Sequence, residues 1–166
     1  MELGAFQSLA HALSRNGVDY LVAGGMAVVA HGYGRMTFDI DLVLRLEREN
    51  VMRAFSALES LGYRPRVPIT GEQFADPSMR AIWIRDKGMM VLNLWSEKFR
   101  DTPVDIFVSE PFDFDEAYAG ALVEELPDGI PVRFVDLSRL LEMKKAAGRD
   151  KDRDDIRHLE LLRDEC

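Results

Sequence analysis

Apolar residues recur at helical spacing near both ends of the chain, with shorter apolar runs between them that read as strands. Leu3 to Ser14 is an amphipathic stretch ending at Asn16-Gly17, a common helix terminus. Asp19 to Ala23 is a short apolar strand broken by Gly24-Gly25, and Met26 to His31 reads as a short buried helix closed by Gly32 and Gly34. Phe38 to Arg45 predicts a strand whose first residues alternate in polarity. Glu47 to Leu61 places Val51, Phe55, Leu58 and Leu61 on one helical face, with Gly62 as the stop. In the middle, Arg64 to Ile69 reads as a strand with prolines at its edges, and Thr70 to Met79 as irregular or partly helical. Ala81 to Ile84 and Met89 to Trp95 read as two strands joined by the turn Asp86-Lys87-Gly88. Thr102 to Ser109 contains the strand Val104-Asp105-Ile106-Phe107-Val108, and Pro111 to Asp115 reads as a loop. Ala121 to Leu126 and Ile130 to Val135 predict a hairpin around Asp128-Gly129. Leu137 to Ala147 and Lys151 to Arg163 predict two closing helices separated by Gly148.

Alternating strands and helices predict an α/β (α+β) fold with a mixed sheet flanked by helices. Residues 1–110 read as the core, and residues 111–166 as a small C-terminal subdomain made of the hairpin and helices. Composition agrees with a soluble domain: 166 residues, 47% hydrophobic and 30% charged. The only cysteine is Cys166, so no intrachain disulfide is expected, which suits a reducing cytosol and a cytoplasmic location. No targeting segment is visible. The longest apolar run, Tyr20 to Ala30, contains two glycines and falls short of the roughly 20 residues of a membrane span. The net charge of −8 argues against a protein that coats nucleic acid by bulk electrostatics. Arg133 to Arg157 departs from it, with eight basic residues against six acidic. That stretch is either a phosphate-facing surface or a solvated helical face.

The candidate chemistry begins at Asp39-Ile40-Asp41. Side chains at i and i+2 of a strand share a face, about 6.6 Å apart at their Cα atoms. Two carboxylates so placed suit one magnesium ion or a pair of ions, as in two-metal phosphoryl and nucleotidyl transfer. An acidic strand end has the same sequence, but here Phe38 and Leu42-Val43-Leu44 predict a buried strand, where adjacent like charges are costly unless neutralised. Upstream, Gly24-Gly25 at a strand-to-helix turn lets backbone amides approach a phosphate, or else merely relieves crowding. No Gly-x-Gly-x-x-Gly and no Walker-type loop is present.

Gly24-Gly25, thirteen residues, then Asp39-Ile40-Asp41 resembles the signature of the polymerase-β-like nucleotidyltransferase superfamily. Arg35-Met36-Thr37 before the aspartates, and Leu140 to Asp152 near the end, look like the AbiEii/AbiGii-type toxin nucleotidyltransferases and their uncharacterised prokaryotic relatives. The resemblance implies a nucleotidyltransferase fold. It also implies transfer of a nucleoside monophosphate from an NTP such as ATP to an acceptor, with release of pyrophosphate. It implies one or two Mg2+ ions (Mn2+ being an alternative) on Asp39, Asp41 and a third carboxylate, for which Asp105 fits as ligand or general base. Asp101 and Asp113 are weaker candidates. Lys144 matches the lysine that such relatives place near the triphosphate. Arg35 and Thr37 read as phosphate contacts or as supports for Asp39, Arg35 equally as a structural counter-ion, and Arg149, Asp152 and Asp155 as anchors for the helical end. Many superfamily members have serine where this chain has Gly25, so only backbone contact is expected there unless Thr37 or Ser109 supplies a hydroxyl. A toxin-type acceptor would be RNA or tRNA, with an antitoxin protein as partner, whereas the lincosamide and aminoglycoside enzymes suggest a small antibiotic-like acceptor. A degenerate domain that binds nucleotide or a partner without turnover is the third reading. His31 reads as a local cap, and Trp83 and Trp95 as core.

Overall fold

Tyr20–Ala23 form β1, four consecutive buried residues, and the strand ends where Gly24 adopts a left-handed backbone with φ 61°. That conformation costs a side-chain-bearing residue about 1–2 kcal/mol, so glycine suits it. The helix α2 (Gly24–Ala30) starts at once, and β2 (Ile40–Leu44) returns antiparallel to β1 with Ala23 opposite Asp41. Leu42, Val43 and Leu44 are all buried, and since alternate residues face opposite sides, both faces of β2 are covered. This computed structural model describes residues 3–165, and Cys166 lies outside them.

The first helix, α1 (Leu3–Arg15), packs against α3 (Arg48–Ser60), whose Val51, Phe55 and Leu58 are buried as their spacing predicts. Buried Asn50 ties the sheet to α3: its Oδ1 accepts from the Asp19 amide (2.8 Å). Its Nδ2 donates to the carbonyls of Asp19 and Arg45, both at 2.9 Å.

Beyond α3 come β3 (Arg64–Pro65), α4 (Gly71–Ala75), α5 (Pro77–Lys87), β4 (Val91–Trp95), β5 (Val104–Phe107) and α6 (Phe114–Ala119). The chain closes with β6 (Leu122–Glu125), β7 (Pro131–Phe134), α7 (Leu137–Ala147) and α8 (Asp150–Asp164). All strands belong to one mixed seven-stranded sheet in the order β3-β4-β5-β2-β1-β7-β6. The expected hairpin forms as β6 and β7, and β7 pairs parallel with β1, so it extends the same sheet. In a second helical group, α7 packs on both α2 and α8. Among the described residues, no helix is long and apolar enough to cross a membrane.

The expected strand Phe38 to Arg45 is shortened to Ile40–Leu44, with Phe38 exposed outside it, and three further elements differ. Ala81 to Ile84, expected as a strand, lies inside α5. Asp76 caps that helix by accepting from the Ser78 amide (2.8 Å), Pro77 opens it, and Gly88 ends it in a left-handed conformation. Of the apolar run only Trp83 is buried, so the run forms no sheet face. The expected strand Arg64 to Ile69 shrinks to Arg64–Pro65 at the sheet edge, where Pro65 and Pro68 lack ladder donors. The expected loop Pro111 to Asp115 ends in α6, capped by Asp113 accepting from the Glu116 amide (3.0 Å).

Candidate functional site

Four strands place one residue each in a transverse row. Ala23 on β1 faces Asp41 on β2, Asp41 faces Asp105 on the parallel β5, and Asp105 faces Asn93 on the antiparallel β4. Register partners on neighbouring strands lie about 5 Å apart, so Asp41 and Asp105 are side by side. Asp39, two residues before Asp41, precedes the strand, and its charge acts on both other carboxylates.

Burial, followed by the charges of Asp105 and Asp39, raises the Asp41 pKa to about 6. Lys144 and Arg149 pull it the other way. Burial likewise raises Asp105, opposed by the amide of Asn93, whose Nδ2 donates to Asp105 Oδ1 at 2.6 Å. Asn93 was missed in the sequence; its one signal is a lone amide between buried Leu92 and Leu94. Among the described residues, no three acidic, histidine or cysteine side chains close into a finished metal cage. An open carboxylate pair still fits magnesium, which takes one or two protein carboxylates and fills its shell with water and phosphate oxygens.

The glycine turn borders this row. A Cβ on Gly24 would overlap Asp41 Oδ2 and lie 2.7 Å from its Cγ, so only glycine lets that carboxylate sit against the backbone. A Cβ on Gly25 would collide with the Thr37 hydroxyl and lie 3.1 Å from Arg35 Nη2. Of the two candidate hydroxyls, Thr37 therefore lies at the turn. Ser109 is exposed beyond the far end of β5, four residues past Asp105.

Arg35 leads from the turn into a buried ionic cluster. Its guanidinium forks onto Asp155, Nε to Oδ1 at 2.7 Å and Nη2 to Oδ2 at 2.8 Å. Lys144, only 6% exposed, lies 3.0 Å from Asp155 Oδ2 and 3.2 Å from Asp152 Oδ1. Arg149 completes the cluster through Nε to Asp152 Oδ2 at 2.9 Å. The expected anchoring by Arg149, Asp152 and Asp155 is thus present, and Lys144 belongs to the same cluster. Tyr33 adds a second clamp on this loop, stacking on His158 (centroids 3.8 Å apart) and donating to Asp154 Oδ2 at 2.5 Å.

The remaining candidates lie elsewhere. Asp113 caps α6, and Asp101 is exposed in the turn before β5. His31 Nε2 meets the Val135 carbonyl at 2.8 Å, joining the end of α2 to β7. Trp83 is buried, whereas Trp95 is partly exposed beneath the Arg66 guanidinium, 6.0 Å from its ring centroid.

No protein-family model matches the chain, and no curated protein sequence does. Solved structures do match. The lincosamide antibiotic adenylyltransferase LnuA, lincomycin-bound, has a TM-score of 0.60 at 16% identity, covering 98% of both chains. The aminoglycoside enzyme ANT(2")-Ia with adenylyl-2"-tobramycin has a TM-score of 0.54 at 16% identity, covering 98% of this chain and 94% of that one. A Thermotoga maritima protein assigned as a nucleotidyltransferase has a TM-score of 0.56 at 14% identity, covering 94% and 90%. The expected fold class is therefore present: this chain has the α/β fold of nucleotidyltransferase structures.

Proposed function

We propose that this chain transfers a nucleoside monophosphate from a nucleoside triphosphate to an acceptor, releasing pyrophosphate. The observation that carries this reading is the in-register pair Asp41 and Asp105, within the field of Asp39 and against the Gly24 turn. In this reading the pair Asp41 and Asp105 holds magnesium, with the charge of Asp39 beside it, and manganese can substitute. When bound, the cation supplies positive charge to the triphosphate and its leaving group. Gly24 and Gly25 let the phosphates approach the backbone closely, and the Thr37 hydroxyl beside Gly25 offers a donor. Arg35 and Lys144 act from behind the turn, as fixed positive charge held in place by Asp152 and Asp155. Asp105, raised by burial, is suited to accept the proton of an acceptor hydroxyl.

For the acceptor, the C-terminal motif supports an RNA or tRNA end, with an antitoxin as protein partner. The alternative is a small antibiotic-like hydroxyl compound. One experiment separates them: the protein is incubated with Mg2+ and each α-labelled NTP, with either total RNA or a metabolite pool. Label transfer that stops on chelation, and that the Asp41→Asn variant lacks, is the expected result. Magnesium-dependent NTP binding without transfer would instead indicate a binding domain, and neither binding nor transfer would end the proposal.

Gly24→Ala tests the turn. The new methyl must push the Asp41 carboxylate away, and misplacement of about 1 Å costs on the order of 10²-fold in rate. The left-handed backbone adds about 1–2 kcal/mol of destabilisation. Transfer rates and urea unfolding of the same variant check both; a fully active, equally stable variant would refute the assigned contact.

A further inference from the structure

The row of Asp41 and Asp105 does not end at the carboxylates. Asn93 on β4 donates from Nδ2 to Asp105 Oδ1 at 2.6 Å, and its Oδ1 accepts from Arg66 Nε. Arg66, just past β3, is fixed in turn. Its amide donates to the Asn93 carbonyl at 3.0 Å, and its guanidinium lies over the Trp95 ring. These contacts determine which way the amide of Asn93 points. Arg66 only donates and an ionised Asp105 only accepts, so a flipped amide would set donor against donor and acceptor against acceptor. The donor that reaches Asp105 is also uncharged. A lysine or arginine at position 93 would neutralise the carboxylate and compete with a cation, whereas an amide orients Asp105 and leaves its charge intact.

We propose that Asn93, oriented by Arg66, is a positioning residue that ties down one oxygen of Asp105 and presents the other to the divalent cation. This rests on the nucleotidyl-transfer reading above. Neither residue contacts the nucleotide in this role; both act through Asp105. Hydrogen-bonding partners of metal ligands typically contribute 10–100-fold to metal affinity or activity.

The test uses the intact protein and Mn2+, followed by the electron paramagnetic resonance signal of the free ion. Asn93→Leu keeps the side-chain size and removes the donor. It should weaken Mn2+ binding by roughly 10–100-fold while the metal-free melting temperature stays near that of the wild type. Arg66→Ala, at an exposed position, guards against a folding artefact and should show a smaller loss in the same direction, which Arg66→Lys restores. Equal Mn2+ affinity in Asn93→Leu and wild type overturns the inference. So does a loss in Asn93→Leu that merely follows a lowered metal-free melting temperature. No response in Arg66→Ala overturns the orienting role. A wild-type chain that binds no Mn2+ overturns both this and the nucleotidyl-transfer reading. One that binds Mn2+ with these variant effects but transfers no label overturns that reading alone.

Discussion

Replacing Asp41 with asparagine is expected to slow the proposed nucleotidyl transfer by orders of magnitude and yet stabilise the ligand-free protein at neutral pH. The two effects have one cause. Asp41 is a carboxylate that burial and the charges of Asp105 and Asp39 make costly to ionise, so its pKa rises from 3.8 to about 6. Between those values the native chain holds a proton that the unfolded chain has lost, so stability falls as pH rises through that window. At about 1.36 kcal/mol per pKa unit, the loss is at most about 3 kcal/mol by pH 7. Asparagine carries no such charge, so urea unfolding of Asp41→Asn should be flatter between pH 4 and pH 6 and show the higher stability above it. A divalent cation should recover the same energy in the wild type, with affinity that grows as pH rises toward about 6 and levels off above it, because below that pH the ion must displace a proton. Transfer should fall by roughly 10³-fold, since in the proposed site a lost metal ligand removes several kcal/mol of charge stabilisation. A variant less stable than wild type at pH 8 would contradict the electrostatic account, whatever its activity.

The parts of this site legible in the sequence are those that lie close together along the chain. Gly24-Gly25 and Asp39-Ile40-Asp41 announce themselves because a turn and a strand are local patterns, and Asp105 stands out as one charge in an apolar run. Asn93 did not, because its partner is set by strand register, and pairing between β4 and β5 is decided by tertiary packing. The ionic cluster was only half visible. Lys144 and Asp152 are eight residues apart, but Arg35 reaches Asp155 across 120 positions, and no periodicity links them. The strand expected at Ala81 to Ile84 failed for a different reason. A short apolar run before a turn reads as a strand, while the capping residues Asp76, Pro77 and Gly88 on either side specify a helix. The Asp113-x-x-Glu116 start of α6 carried the same kind of signal.

Adjacent lysines on α7 should behave very differently when each is changed to methionine. Lys145 is 52% exposed and pairs with Glu160 at 3.0 Å; such surface pairs contribute about 0–1 kcal/mol, so Lys145→Met should unfold almost as the wild type does. Lys144 is buried between Asp152 and Asp155, both buried as well. Removing one partner from a buried ionic group costs about 3–5 kcal/mol, because the charges left behind lose their compensation without regaining water. Arg35 and Arg149 stay on the two aspartates, which places Lys144→Met at the low end, about 3 kcal/mol by urea unfolding. The acid limb should change too. Burial pushes the Asp152 carboxyl up, but Arg149 and Lys144 outweigh it and hold the pKa below the usual range. The stability from Asp152 is therefore present above the unfolded carboxylate pKa and is lost as pH falls through the lower folded one. Without Lys144 that loss should begin at higher pH. The same charge also draws down the pKa of Asp41 and repels a divalent cation there, so Lys144→Met should make Asp41 hold its proton more tightly and, once that proton is lost, bind a divalent cation more tightly. Equal stability of the two methionine variants would mean that the buried cluster is not the anchor of the C-terminal helices. A stability loss with unchanged cation affinity would confine Lys144 to a structural role.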